Sequence, residues 1–339
     1  MSTSDAHSRP LRKLRISITD RCNLRCAYCM PAEEYRWLPK QELLSFEEIE
    51  RLARIVRELG VREVRLTGGE PLLRRDVEEL VMRLANLGFD KLAMTTNGMF
   101  LADHVDELRA AGMTSVTVSL DTLRPGRFER LTRRTGLDRT LDGIRAAVAA
   151  GFERPKINTV VMRGFNDDEI FDMLEFAHEV GAEPRFIEYM DVGGATDWSA
   201  SDVVSRREIL ERVHARYGTP EPLVGRGAAP AERFELPTGQ RFGIIASTTM
   251  PFCGACDRAR LVADGRFFTC LYSRSGVDLR SLLRSEATDD DIRDLIAGVW
   301  RERTDRGAEK RLELAARSPL ASRAELASDP HLEMHTRGG

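Results

Sequence analysis

Between residues 14 and 189 the chain alternates short apolar, β-leaning runs with longer stretches whose apolar residues recur at helical spacing. Leu14 to Thr19, Glu63 to Thr67, Lys91 to Thr95, Ser115 to Leu120, Lys156 to Met162 and Pro184 to Tyr189 read as strands. Ser45 to Leu59, Arg75 to Leu87, His104 to Ala111, Leu137 to Ala150 and Asp167 to Val180 read as helices, the first opened by Ser45 with Glu48 three residues on, a capping box. Glycines 60, 88, 112, 151 and 181 follow helices where a left-handed cap is expected. About six β/α units imply a parallel sheet, either a partial barrel or an open doubly wound sheet; periodicity alone does not choose. In both, reactive groups gather at the carboxyl ends of strands, in the loops after Thr19, Thr67, Thr95, Leu120, Met162 and Tyr189.

Near Asp191 the rhythm stops, and the small, polar and Pro/Gly-rich stretches that follow place a boundary near residue 200. The expected organisation is a flexible segment over 1–10, a β/α domain over 11–200, a smaller irregular region over 201–303 and a polar tail over 304–339. The smaller region should contain a hairpin over Arg258 to Thr269 turning at Asp264-Gly265 and a helix over Asp289 to Arg301.

At 339 residues the chain can bury a large core, so its six cysteines are not needed merely to fold it. Residues 1–10 lack the apolar stretch of a signal peptide and no window offers about 18 consecutive apolar residues, which predicts a soluble cytoplasmic protein. In such a compartment the cysteines point to thiolate or metal chemistry rather than disulfides. A formal net charge of −3 gives no reason to expect nucleic acid or a membrane surface as partner.

Cys22, Cys26 and Cys29 form C-x3-C-x2-C directly after the first strand. Three thiolates leave one iron of a 4Fe–4S cluster open to an exogenous amino and carboxylate chelator. Structural zinc is the plain alternative, but it wants four protein ligands, and the nearest histidine in sequence is His7. Thr67-Gly68-Gly69-Glu70-Pro71 also follows a strand; its glycines allow close backbone approach and its glutamate could accept from an ammonium. Together the triplet and the Gly-Gly-Glu segment resemble the radical S-adenosylmethionine (SAM) superfamily, over roughly residues 11–200. The resemblance implies a SAM-binding 4Fe–4S cluster on the triplet and a partial (β/α)6 barrel of the TIM type, its mouth covered by the smaller C-terminal α+β region. It also implies a 5′-deoxyadenosyl radical that takes a hydrogen atom from substrate, with Tyr28 either near the adenine or shielding the cluster.

Cys253, Cys256 and Cys270 form a second three-thiol group, C-x2-C-x13-C, beside Asp257-Arg258-Ala259-Arg260, whose arginines would share one strand face. A zinc knuckle with a distant fourth ligand is the alternative. The chain is similar nearly end to end to the GTP 3′,8-cyclases of molybdenum cofactor biosynthesis. That similarity is carried by residues 19–26, 65–72, 95–98, 118–121, 156–158, 185–190, 253–260, Cys270 and the terminal Gly338-Gly339.

The resemblance implies two 4Fe–4S clusters. It places SAM on Tyr28, Gly69, Ser119 and Met190, and GTP on Arg15, Arg65, Thr95, Lys156, Arg185, Arg258, Ala259 and Arg260. Arg258, Arg260, Gly338 and Gly339 would serve the catalytic site, the diglycine entering it from the tail, although Arg337 before it matches no particular expectation. The C3′ radical of GTP would add to guanine C8 to give (8S)-3′,8-cyclo-7,8-dihydroguanosine 5′-triphosphate, passed on to cyclic pyranopterin monophosphate synthase. The electron donor and the oligomeric state, a homodimer included, are left open. A peptide-modifying radical SAM maturase is the competing enzyme class, though those usually carry more cysteines.

Overall fold

The computed structural model describes residues 3–338 apart from Glu33, Arg36 and Arg226. Six strands come first, β1 (Lys13–Ser17), β2 (Glu63–Thr67), β3 (Lys91–Thr96), β4 (Ser115–Ser119), β5 (Lys156–Val161) and β6 (Glu183–Glu188). Between them lie helices α1 (Phe46–Glu58), α2 (Val77–Asn86), α3 (Leu101–Ala110), α4 (Pro125–Thr132), α5 (Leu137–Ala149) and α6 (Ile170–Val180). After α7 (Arg206–Tyr217) come β7 (Glu221–Pro222), β8 (Glu232–Glu235), β9 (Arg241–Ile245), β10 (Arg258–Leu261), β11 (Arg266–Phe268) and β12 (Val277–Asp278).

Local chemistry accounts for the elements. The Ser45 hydroxyl accepts from the Glu48 amide at 3.2 Å and the Glu48 carboxylate accepts from the Ser45 amide at 2.7 Å, closing the capping box that starts α1. That helix buries Ile49, Leu52, Ala53, Ile55 and Val56 against the sheet, and truncating Leu52 to alanine would cost about 2–5 kcal/mol. The glycines expected to cap helices all have positive φ, Gly181 at 83° for example. Two helices escape the sequence pattern. Helix α4 starts at Pro125, and α7 is half charged and buries only Ile209 and Val213.

One twelve-stranded sheet runs β12-β11-β10-β1-β2-β3-β4-β5-β6-β9-β8-β7, and the stretch from β10 through β6 to β9 is parallel throughout. The sheet curls but does not close into a barrel, since β10 and β9 flank opposite ends of the parallel run. The region after residue 200 is therefore woven into the sheet at both edges, and two-residue strands end it on either side. The hairpin over residues 258–269 forms as expected, with Gly265 at φ 87° in its turn.

The expectation of a flexible segment over 1–10 is corrected. Residues 3–10 form a bridge between Ser4 and Pro10, and Asp5 and Arg9 are buried. Opposite charges inside this short segment and a partner at residue 303 hold it down, a long-range pairing that polarity alone does not reveal. The tail over 304–338 is likewise built of short helices rather than extended chain. Among the described residues, no helix is long and apolar enough to cross a membrane.

Candidate active site between two thiol groups

The first thiol group occupies the loop after β1, at the carboxyl end of the strands. Gly69 lies against this loop so closely that a Cβ would stand 2.2 Å from the Arg21 carbonyl oxygen, so only glycine lets the Gly-Gly-Glu backbone pack there. Glu70 is wholly buried and fully engaged. Its carboxylate accepts from the Leu72 amide at 3.1 Å, the Thr96 hydroxyl at 2.7 Å and the Asn97 amide at 2.7 Å, so it braces the ends of β2 and β3 rather than reaching outward for an ammonium.

Burial, then the Glu70 charge, push the Cys22 thiol up to about 11; burial and the neighbouring thiols also raise Cys26 and Cys29. Amide donors face the sulfurs, Leu24 to Cys22 at 3.4 Å and the backbone of His335 to Cys29. Three mutually coupled thiols ringed by N–H donors suit an iron–sulfur cluster, whose metal would hold them as thiolates. Among the described residues no three His, Cys, Asp or Glu side chains converge on one ion.

The second group stands at the opposite end of β1. Arg258 of β10 pairs in register with Lys13 at the start of β1, so Cys256 lies below the amino end of that strand while Cys22 follows its carboxyl end. Five residues of β1 at about 3.3 Å each separate the two ends by about 17 Å. Backbone amides of Ala308 and Glu309 face Cys253, and the Arg258 amide and guanidinium face Cys256, the latter at 3.5 Å. Burial opposes ionisation of Cys256, yet Arg258 and Arg303 beside it outweigh burial and bring it down to about 7.

Between the two ends lies a cavity of about 390 Å³. Because alternate strand residues share a face, Arg15, Arg65, Thr95, Lys156 and Arg185 all line it, joined by Arg258 and Arg260 and by Cys253, Cys256 and Cys270. Arg15 is in register with Arg65 on one side and Arg260 on the other, which sets three guanidiniums in a row across the strands. Burial, then mutual repulsion with Arg260, Arg258 and Arg65, lowers Arg15; burial, then neighbouring cations, brings Arg260 down to about 9 and Lys156 to about 7. Burial, then Arg185, brings Arg65 to about 10. Arg65 Nη1 donates to the hydroxyls of Thr95 and Thr117 at 3.1 Å each, and Lys156 Nζ to the Ser115 hydroxyl at 3.0 Å. Such a ring of crowded buried cations is relieved by a polyanion.

The tail reaches into this space. Gly338 has φ 66°, and a Cβ there would lie 1.9 Å from Thr67 Oγ1. Its carbonyl oxygen accepts from Arg260 at 2.9 Å and from Arg15 at 3.1 Å. Arg337 is 1% exposed, donates to the Leu271 carbonyl at 2.6 Å and packs its guanidinium over Phe268. The residue for which sequence offered no role thus anchors the tail beside Cys270. Gly339 lies outside the described residues.

The remaining sequence-derived residues fall into place around the mouth. Met190 lines the cavity, whereas Tyr28, Gly69 and Ser119 lie at the carboxyl-end rim, Ser119 as the last residue of β4. Tyr28 donates to Asp121 Oδ2 at 2.6 Å and packs edge-on against Tyr189. Ala259 points away from the cavity into the hydrophobic core, leaving only its backbone near the ligand side. Sequence reading overlooked Lys13, Lys91, Thr117 and Asn158 in the cavity wall. Each shares the two-residue phase of an arginine, lysine or threonine already chosen on its strand or the next, which is the signal that would have found them.

Comparison with known proteins follows the same outline. The profile described as Radical SAM superfamily matches residues 16–177, and that described as Molybdenum Cofactor Synthesis C matches 182–309. The chain is similar to GTP 3′,8-cyclase 1 of Mycobacterium tuberculosis (strain ATCC 25618 / H37Rv), 53% identical over 99% of this chain and 95% of the relative. It is also similar to GTP 3′,8-cyclase of Aquifex aeolicus (strain VF5), 46% identical over 91% of this chain and 95% of the relative. Among solved structures, Streptococcus suis SuiB bound to S-adenosylmethionine superposes with a TM-score of 0.59 at 17% identity, covering 94% of this chain and 77% of that one, a likeness of fold.

Proposed function

The chain belongs to the GTP 3′,8-cyclase family of the radical SAM superfamily, and on that premise we propose how its residues divide the work of the reaction. The enzyme uses SAM and a 4Fe–4S cluster to convert GTP to (8S)-3′,8-cyclo-7,8-dihydroguanosine 5′-triphosphate, at the first step of molybdenum cofactor biosynthesis. Cys22, Cys26 and Cys29 hold the SAM-binding cluster, with Tyr28, Gly69, Ser119 and Met190 around SAM. Cys253, Cys256 and Cys270 hold a second 4Fe–4S cluster that takes the guanine. When bound, the first cluster and SAM supply the radical that removes the 3′ hydrogen of GTP.

The observation that carries this reading is the lining of the cavity. Lys13, Arg15, Arg65, Lys91, Lys156, Arg185, Arg258 and Arg260 line it against one carboxylate among the described lining residues, Glu63, with the second thiol group at one end; behind the wall Arg185 pairs with Glu183 at 2.8 Å and Lys13 with Asp257 at 3.4 Å, which leaves the cations in excess. A triphosphate answers that charge, and Arg15, Arg65, Lys156 and Arg185 grip it while Thr95 and the Arg258–Arg260 strand hold the nucleoside. One such pair at about 4 Å is worth roughly 4 kcal/mol at an effective dielectric near 20, before desolvation. The task left to the protein is to hold C3′ near C8 and to keep water out, the tail as far as Gly338 narrowing the remaining opening.

In this reading residues 11–200 are the SAM-binding partial barrel, 201–303 carry the second cluster, and 304–339 are the closing tail. The enzyme works in the cytoplasm and hands its product to cyclic pyranopterin monophosphate synthase. Anaerobic incubation of the reconstituted protein with GTP, SAM and a reductant tests the reading. Both 5′-deoxyadenosine and the cyclised nucleotide should form, and loss of GTP binding in Arg65→Gln or Arg185→Gln should abolish the nucleotide product. Absence of both products from the wild type, or full activity in both variants, would refute it.

A further inference from the structure

Cys253 and Cys256 of the second group, and Thr269 beside Cys270, are tied to one charge network whose buried hub lies in the N-terminal segment. Asp5 Oδ2 accepts from Arg9 Nε at 2.6 Å and from Arg303 Nη1 at 3.2 Å. Asp5 Oδ1 accepts from the amides of His7 and Arg9 at 2.9 Å each. The side chains of Asp5, Arg9 and Arg303 are 0%, 3% and 1% exposed.

From this hub the two guanidiniums reach the thiol loop from behind. Arg9 Nη1 donates to the Cys253 carbonyl at 2.8 Å, and Arg303 Nη1 to the Cys256 carbonyl at 2.8 Å. Arg303 also faces the carboxylate of Asp305 at 3.7 Å, and that carboxylate accepts from the hydroxyl of Thr269, the neighbour of Cys270. Trp300 fixes the assembly, donating to the Arg9 carbonyl at 3.1 Å beneath the Arg303 guanidinium.

We propose that Asp5, Arg9 and Arg303, continued through Asp305, are positioning residues for the second cluster, holding the backbones of its three cysteines at the spacing that the cluster requires. Breaking one arm of a buried ion pair leaves its partner charge uncompensated, so the loop to which both arginines are bound should move. A lysine cannot replace Arg9, because one nitrogen cannot span both the Asp5 carboxylate and the Cys253 carbonyl as the planar fork does. The inference rests on the assignment of a second cluster to Cys253, Cys256 and Cys270.

The test uses the full chain, reconstituted anaerobically, as wild type and as Asp5→Asn, Arg9→Lys and Arg303→Gln. Iron and sulfide content, the electron paramagnetic resonance spectrum with and without GTP, and SAM cleavage are read together. Wild type should hold roughly eight irons, for two 4Fe–4S clusters. In Asp5→Asn and Arg303→Gln iron should fall toward half, or the GTP-sensitive signal should shift, while the SAM-sensitive signal and the protein's circular dichroism persist. Arg9→Lys should keep the fold but alter the GTP-sensitive signal. Roughly four irons in wild type would instead overturn the second cluster itself. A full set of irons with an unchanged GTP-sensitive signal in all three variants, even with a lowered melting temperature, would overturn the positioning role.

Discussion

Arg260 donates to the carbonyl oxygen of Gly338 at 2.9 Å, so the tail is seated on an arginine that also lines the cavity beside the second thiol group. Arg15, one strand over, grips the same carbonyl oxygen at 3.1 Å. On the proposed reading, the tail and the substrate therefore answer to the same pair of cations.

The first prediction concerns that contact. In Gly338→Ala the new methyl would meet Thr67 Oγ1 at 1.9 Å at a backbone angle of φ 66°, so the tail must withdraw. Cyclised nucleotide should fall by about 10²-fold, the usual penalty for small misplacement at a reacting centre. Iron content should not change, and quantifying the nucleotide by chromatography checks the outcome.

A second substitution separates the first thiol loop from the substrate cavity. In Gly69→Ala the added methyl would stand 2.2 Å from the Arg21 carbonyl oxygen, which pushes on the segment leading into Cys22. SAM cleavage should drop with the iron of the first cluster, whereas GTP binding measured by calorimetry should stay within about threefold, since no arginine of the cavity wall is touched.

These two glycines also show how far the sequence could be read. The Ser45–Glu48 capping box, strand Glu63–Thr67 and helix Asp289–Arg301 were legible because each is fixed by local periodicity and end signals. The insertion of β10 beside β1 and of β9 beside β6 was not, because strand neighbours far apart in sequence leave no local trace. Motif and resemblance singled out the two cysteine groups and the arginines that line the cavity. Asp5, Arg9 and Arg303 were missed because charged residues in a polar N-terminal stretch look solvated until a partner 298 residues away is brought to them. Arg337 was opaque for a similar reason, its partners being Leu271 and Phe268.

Lys156 supplies a pH dependence. Burial first, then Lys91, Arg185 and Arg65, bring its ammonium down from 10.5 to about 7. Between those values the unfolded chain holds a proton that the folded chain has released, so this group's contribution to stability rises with pH across that window and is least favourable below about 7. GTP binding runs the other way, because the triphosphate favours the charged form. Affinity should weaken as pH rises above about 7, with proton uptake on binding, and Lys156→Gln should bind more weakly at low pH and lose that part of the slope. Titration calorimetry in buffers of different ionisation enthalpy measures both.

The central claim is that the guanine of GTP meets the second thiol group while the triphosphate lies on the arginines of the cavity wall. Its most direct test is hyperfine spectroscopy of the reduced second cluster with GTP labelled with nitrogen-15 in the guanine. A Cys26→Ser background removes the signal of the first cluster. The account predicts resolved coupling to a guanine nitrogen that disappears in Cys256→Ser and weakens in Arg260→Gln. Tight GTP binding with no nitrogen coupling at the second cluster would contradict it.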